Sequence, residues 1–176
     1  MENYMKSIAL IFFIFIFSIF YINTNENPTP PQKHKNGLRK QVDLVLDGFH
    51  DAAAKADKDR YFGFLSKDAI FMGTDARERW TKKEFLQYAT PYFDKGKGWT
   101  YISKNRHVMF STDGNFAWFD EHLLNEKYGE LRGTGVLRKQ NRIWKIVHYS
   151  LVFTIPNEVA GKVTQLIKAS ERTIQK

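Results

Sequence analysis

Residues 99–153 read WTYISKNRHVMFSTDGNFAWFDEHLLNEKYGELRGTGVLRKQNRIWKIVHYSLVF. Side chains alternate between the two faces of a strand, so a two-residue period sustained over this length marks strands rather than helices. Asp113-Gly114, Tyr128-Gly129 and Gln140-Asn141 interrupt the alternation. Glycine and asparagine reach the positive φ that tight hairpins need. The stretch therefore predicts four strands, Trp99–Ser111, Phe116–Leu124, Glu130–Lys139 and Ile143–Phe153, joined as an antiparallel meander. Pro156 ends it, because proline cannot extend the ladder.

Upstream the period changes. Leu38, Val42, Val45, Leu46, Phe49, Ala53 and Ala56 recur at three- and four-residue spacing, the stripe of a helix with one buried face. Asp57 suits the N-cap of a short second helix carrying Tyr61, Phe62 and Leu65. Asp68–Gly73 reads as a strand. Thr81 followed by Glu84 forms a capping box, opening a helix with Phe85, Leu86, Ala89, Tyr92 and Phe93 on one side. Pro91 is expected to kink or restart that helix. Val159, Val163, Leu166, Ile167 and Ile174 predict a short amphipathic helix in a C-terminal tail, residues 159–176. Helices come first and a sheet follows, an α+β order. The expected architecture, over residues 38–158, is a cone: a curved antiparallel sheet wrapped on the N-terminal helices, leaving a hollow at its open end.

The other terminus is different in kind. Ile8–Ile22 is almost wholly apolar, with Lys6 before it and polar residues after it, the order of an export signal. Residues 1–24 are read either as a retained membrane anchor or as a cleaved signal. Asn27-Pro28-Thr29-Pro30-Pro31 belongs to an expected extended spacer, residues 25–37, that would hold the domain off a membrane. Localisation at the cell envelope follows as an expectation, with the membrane met through the N-terminal segment. The sequence has no cysteine, which removes disulfides and a lipid-bearing thiol. Its formal charge of +8 is split between the ends and the middle, and residues 38–158 carry +4. No dense Lys/Arg run occurs, so no nucleic-acid partner is expected.

Several strings resemble a known group: Phe71–Trp80, Gly96-Lys97-Gly98-Trp99, Ala117-Trp118-Phe119-Asp120-Glu121, Tyr128–Leu137 and Trp144–Tyr149. In this order they resemble the SnoaL-like branch of the nuclear transport factor 2-like superfamily, over about residues 40–158. The resemblance implies the cystatin-like roll. It implies no single function, since the superfamily includes isomerases, cyclases and dehydratases alongside plain binding and assembly domains.

The residues themselves nominate a site. Asp120 alternates with Trp118 and His122, and Glu121 with Phe119 and Ala117, so only one of the two carboxylates faces the hollow. Asp120 beside an indole is expected inside, where partial burial suits it to general-base work. Pairing with an arginine is the structural alternative. Arg132 on the neighbouring strand is the expected partner, or the group that orients a substrate. Gly133 and Gly135 leave the opposite face of that strand bare, a mark of a bend or a close approach. His148, on the face of Trp144, Ile146 and Ser150, is expected inward as a second catalytic residue. Trp80, Trp99, Tyr101 and Trp118 are the expected aromatic walls of a site for a small, largely apolar molecule. Thr74 and Asp75 either reach the pocket mouth or belong to a salt-bridged loop before the capped helix. His50 is placed at the edge of the first helix.

There is no phosphate loop, no nucleophile elbow and no His-Glu-x-x-His, so neither a cofactor nor a metal is expected. Two functions stand side by side. One is a binding or scaffolding module that dimerises through an outer sheet face expected to carry Phe119, Tyr149 and Leu151. The other is a cofactor-free isomerase, cyclase or dehydratase using Asp120, Arg132 and His148.

Overall fold

A computed structural model of the chain describes residues 32–174, with side chains from 35 to 170. The expected anchor or signal, residues 1–24, lies outside the described residues. So does most of the spacer. Its last part does not stay extended: helix α1 runs Gln32–Ala54. The helix thus begins before the apolar stripe that opens at Leu38.

The other elements follow the expected order. Asp57 caps α2 (Lys58–Phe64), accepting from the backbone N–H of Arg60. Strand β1 (Leu65–Met72) leads to the three-residue β2 (Arg79–Thr81), which pairs antiparallel with it. The capping box of Thr81 and Glu84 opens α3 (Lys82–Phe93). Pro91 lies inside that helix, which runs on through it without a restart. It sits in the last turn, where one missing N–H costs little. Then come β3 (Ile102–Phe110), β4 (Phe116–Asn125), β5 (Gly129–Gln140) and β6 (Ile143–Phe153), and finally α4 (Asn157–Ile174).

The six strands form one curved sheet in the order β2-β1-β6-β5-β4-β3. The meander is antiparallel, as the hairpin signals require. β1, however, joins β6 in parallel, because the chain crosses the sheet between them through α3. α1 lies along the concave side. Its Leu38, Val42, Leu46, Phe49, Ala52 and Ala53 are all buried. Phe49 meets Tyr149 of β6 at 5.3 Å between ring centres, and Trp144 donates to Gln41. The core thus forms between α1 and the sheet's inner face. Among the described residues, no helix is long and apolar enough to cross a membrane. Along α4, Leu166 and Ile167 are exposed.

Which face points inward reverses the expectation. On β4 the buried row is Ala117, Phe119, Glu121 and Leu123, and Trp118 is 43% exposed on the outer side with Asp120 and His122. On β5 the inner row is Leu131, Gly133, Gly135 and Leu137, and Arg132 is exposed. The reason is volume. Glu121 and Phe119 stand opposite Gly133 and Gly135, and the bare glycines leave the space that the larger inner side chains fill. On β6 a bulge adds its own inversion. Leu137 pairs with Ile146 but Val136 pairs with His148, so Val147 is an extra residue. An extra residue shifts a strand's alternation by one. Trp144 and Ile146 point inward, and so do Tyr149 and Leu151 beyond the bulge, while His148 falls on the outer side. Phe119, Tyr149 and Leu151, expected on the outer face, are core residues.

Candidate functional site

The open end of the cone holds a cavity of about 900 Å³. Aromatic side chains dominate its wall: Phe71 from β1, Trp80 from β2, Phe85 from α3, Trp99 and Tyr101 from the segment before β3. Several of the rings lie nearly parallel. Phe71 and Phe85 stack at 3.9 Å and 12°, and Trp80 and Phe85 at 5.5 Å and 11°. Thr74 and Glu78 line it from the loop before β2. Asp75 instead takes Arg77 in a two-pronged salt bridge, with both contacts at 2.9 Å, so the loop divides the two roles foreseen for it.

At the inner side of the cavity the wall turns polar. His50 from α1 and Tyr149 from β6 line it together, and both reach Glu121. His50 Nε2 lies 2.7 Å from Glu121 Oε1, and the Tyr149 hydroxyl donates to the same oxygen at 3.3 Å. The other carboxylate oxygen, Oε2, accepts from Arg106 Nε at 2.9 Å, with Nη2 at the same distance. Arg106 is nearly buried, and its Nη1 donates outward to Asp47 at 2.8 Å and to Asp43 at 3.3 Å. Asp43, Asp47 and His50 are four and three residues apart, which puts them on one face of α1. A chain of ionic contacts therefore runs from the helix surface through Arg106 and Glu121 to His50.

The electrostatics follow from burial and charge. Burial pushes the Glu121 carboxyl up, but the hydrogen bond from His50, the positive charge that ring carries when protonated, and the charged, hydrogen-bonded guanidinium of Arg106 outweigh it and hold the carboxyl below its ordinary range. Glu121 is thus an ionised acceptor in the core. Burial, then the charge of Glu121, pushes the Tyr149 hydroxyl well up. Burial, then neighbouring Tyr128 and Glu78, pushes Tyr101 up to about 12. The Tyr101 and Tyr149 hydroxyls keep their protons.

Of the residues nominated from sequence, the structure brings Trp80, Trp99 and Tyr101 to the cavity. Asp120, Arg132, His148 and Trp118 are on the outer sheet face, where His148 stands opposite Val136 and Arg132 opposite His122. His50, Glu121, Arg106 and Tyr149 were not nominated. Their signal was present in part: Glu121 interrupts an otherwise apolar alternating row, and the two glycines on the next strand mark where a close approach occurs. Among the described residues no cluster of His, Asp and Glu fits a metal ion.

Residues 42–156 match the model of a family described as SnoaL-like domain. The chain matches no curated protein. Solved structures share its fold. A domain of unknown function with a cystatin-like fold from Nostoc punctiforme is 14% identical, with a TM-score of 0.58 over 78% of this chain and 97% of that one. A proposed dehydratase of the nuclear transport factor 2-like family from Streptomyces avermitilis is 14% identical, with a TM-score of 0.56 over 66% and 96%. A proposed aromatic ring hydroxylase from Novosphingobium aromaticivorans is 16% identical, with a TM-score of 0.56 over 67% and 90%. At these identities the likeness is one of fold.

Proposed function

The chain belongs to the SnoaL-like domain family, and we propose that its cavity receives a small, largely apolar molecule whose polar end meets His50. The observation that carries this is the composition of the wall: stacked aromatic rings around about 900 Å³, with His50 and Tyr149 at the inner side and Thr74, Glu78, Asn125, Glu126 and Lys127 elsewhere in the lining. Apolar walls supply affinity and a few placed polar groups supply orientation. Native mass spectrometry and solvent extraction of the purified chain are expected to release such a molecule. 2-Naphthol, followed by its own emission, is expected to bind. The Trp80→Ala/Trp99→Ala double variant is expected to weaken that binding about tenfold or more, since each indole offers 150–250 Å² of contact area. No co-purified molecule together with no binding of 2-naphthol would remove this reading.

A second reading, cofactor-free proton transfer as in a dehydratase or isomerase, is favoured by one observation. An imidazole hydrogen-bonded to a buried ionised carboxylate lines the cavity, an arrangement suited to a general base. In that reading His50 takes the role sought for Asp120 and His148.

The outer face supports a proposed homodimer. Met109, Phe116, Trp118 and Val152 are each 38–43% exposed there, beside acidic Asp120 and basic Arg132. The apolar run at residues 8–22 is the proposed attachment to the envelope membrane. The full chain is expected in the membrane fraction and, once extracted in detergent, at dimer mass by light scattering. Trp118→Glu is expected to return it to monomer mass. A wild-type monomer would end the dimer proposal.

A further inference from the structure

Resting on the ligand-binding reading, we infer that Arg106, acting through Glu121, fixes His50 in the tautomer that carries its proton on Nε2. Nδ1 then meets the bound molecule as a hydrogen-bond acceptor, and the cavity prefers ligands bearing an O–H or N–H group over those bearing only acceptors. Arg106 is in this sense a positioning residue.

The argument is one of donor and acceptor inventory. An ionised carboxylate only accepts. His50 Nε2, 2.7 Å from Glu121 Oε1, must therefore supply the hydrogen. A neutral imidazole has one N–H, so its other nitrogen is a bare lone pair. The hydrogen bond that His50 makes is at Nε2, none is made at Nδ1 among the described residues, and the residue lines the cavity. The hydroxyl of Tyr149 also donates to Glu121. Both protons nearest the carboxylate are thus committed to it, and what His50 offers a ligand is an acceptor.

Arg106 decides this because it answers the charge of Glu121. Both Nε and Nη2 lie 2.9 Å from Oε2, Nε in a hydrogen bond and Nη2 in an ion-pair contact alone, so the guanidinium is a counterion for the buried carboxylate that does not depend on His50. A second buried cation would carry a further desolvation cost. Asp47 and Asp43 hold the far end of the guanidinium, which fixes its plane against the carboxylate. A ligand offering only a carbonyl or ether oxygen would set one lone pair against another at Nδ1. A phenol or alcohol would complete the chain.

The first measurement is on the nitrogen-15 histidine-labelled full chain, with the His50 signals assigned by their loss in His50→Gln. The expected result is a pyrrole-like Nε2 and a pyridine-like Nδ1. Arg106→Gln is expected to erase that pattern and Arg106→Lys to restore it in part. A merely structural role for Arg106 would leave the ring nitrogens unchanged in any variant that folds. The second measurement compares 2-naphthol with 2-methoxynaphthalene, which has the same rings without the donor. The naphthol is expected to bind about tenfold tighter, and His50→Phe is expected to bring the two to parity. A proton on Nδ1, whether alone or with one on Nε2, overturns the inference. So does equal or tighter binding of the ether to the wild-type chain. Binding of neither probe removes the ligand-binding reading and the ligand preference with it, while the nitrogen shifts decide the tautomer independently.

Discussion

Replacing Glu121 by alanine is expected to cost about 3–5 kcal/mol of stability, a large part of what a single domain has. The cost is not the loss of an attraction as such. Glu121 is 1% exposed and accepts from His50, Tyr149 and Arg106. Without it, a nearly buried guanidinium loses its inner counterion and two ring groups lose their acceptor. Urea or thermal denaturation measures the loss. Removing both charges, as Glu121→Leu with Arg106→Leu, is expected to recover much of it, because an apolar pair leaves nothing unpaired. If Glu121→Ala alone lost under 1 kcal/mol, the ionic chain would not be holding the fold.

The same carboxylate sets an acid limb. Its folded value is held below the ordinary 4.5. On acidification the unfolded chain therefore takes up this proton first. The stability that Glu121 contributes is whole above about pH 4.5 and drains as the pH falls through the lower folded value. Glu121→Gln is expected to be less stable at neutral pH and to show a shallower decline below pH 4.5 than the wild-type chain.

Gly135→Ala is expected to be the other severe change, about 3 kcal/mol or more, the upper range for overpacking. A β-carbon there would lie 2.4 Å from the backbone oxygen of His148 and 2.8 Å from the Phe119 ring. The obstacle is the bulge of the adjoining strand in the middle of the sheet, which has no free side chain to swing away. Gly63 provides the contrast. It lies in α2 with nothing within 4 Å of an added β-carbon, and alanine there is expected to stabilise by about 0.5–1 kcal/mol through helix propensity. Chemical denaturation of the two variants side by side checks both signs. A neutral Gly135→Ala would mean that the sheet yields at the bulge.

The sequence by itself determined the elements, because period, caps and turns are local. The meander was legible from the alternation over residues 99–153, and the hairpins from Asp113-Gly114 and its counterparts. Asp57 and the Thr81–Glu84 box marked their helices for the same reason. Trp80, Trp99 and Tyr101 were recognisable as wall residues, since aromatic side chains commonly line a site for an apolar molecule. The tertiary structure alone decided which side of each strand is inner. Alternation says that neighbours part company and is silent on which of them is buried. On β4 the choice was made by Gly133 and Gly135, whose missing side chains admit Glu121 and Phe119. On β6 it was reversed partway by one extra residue at the bulge, which sent His148 outward and Tyr149 inward. The candidate site was illegible for the same reason. His50, Arg106, Glu121 and Tyr149 come from four elements, and only the folding of α1 across the sheet brings a histidine at position 50 to within 2.7 Å of a carboxylate at position 121.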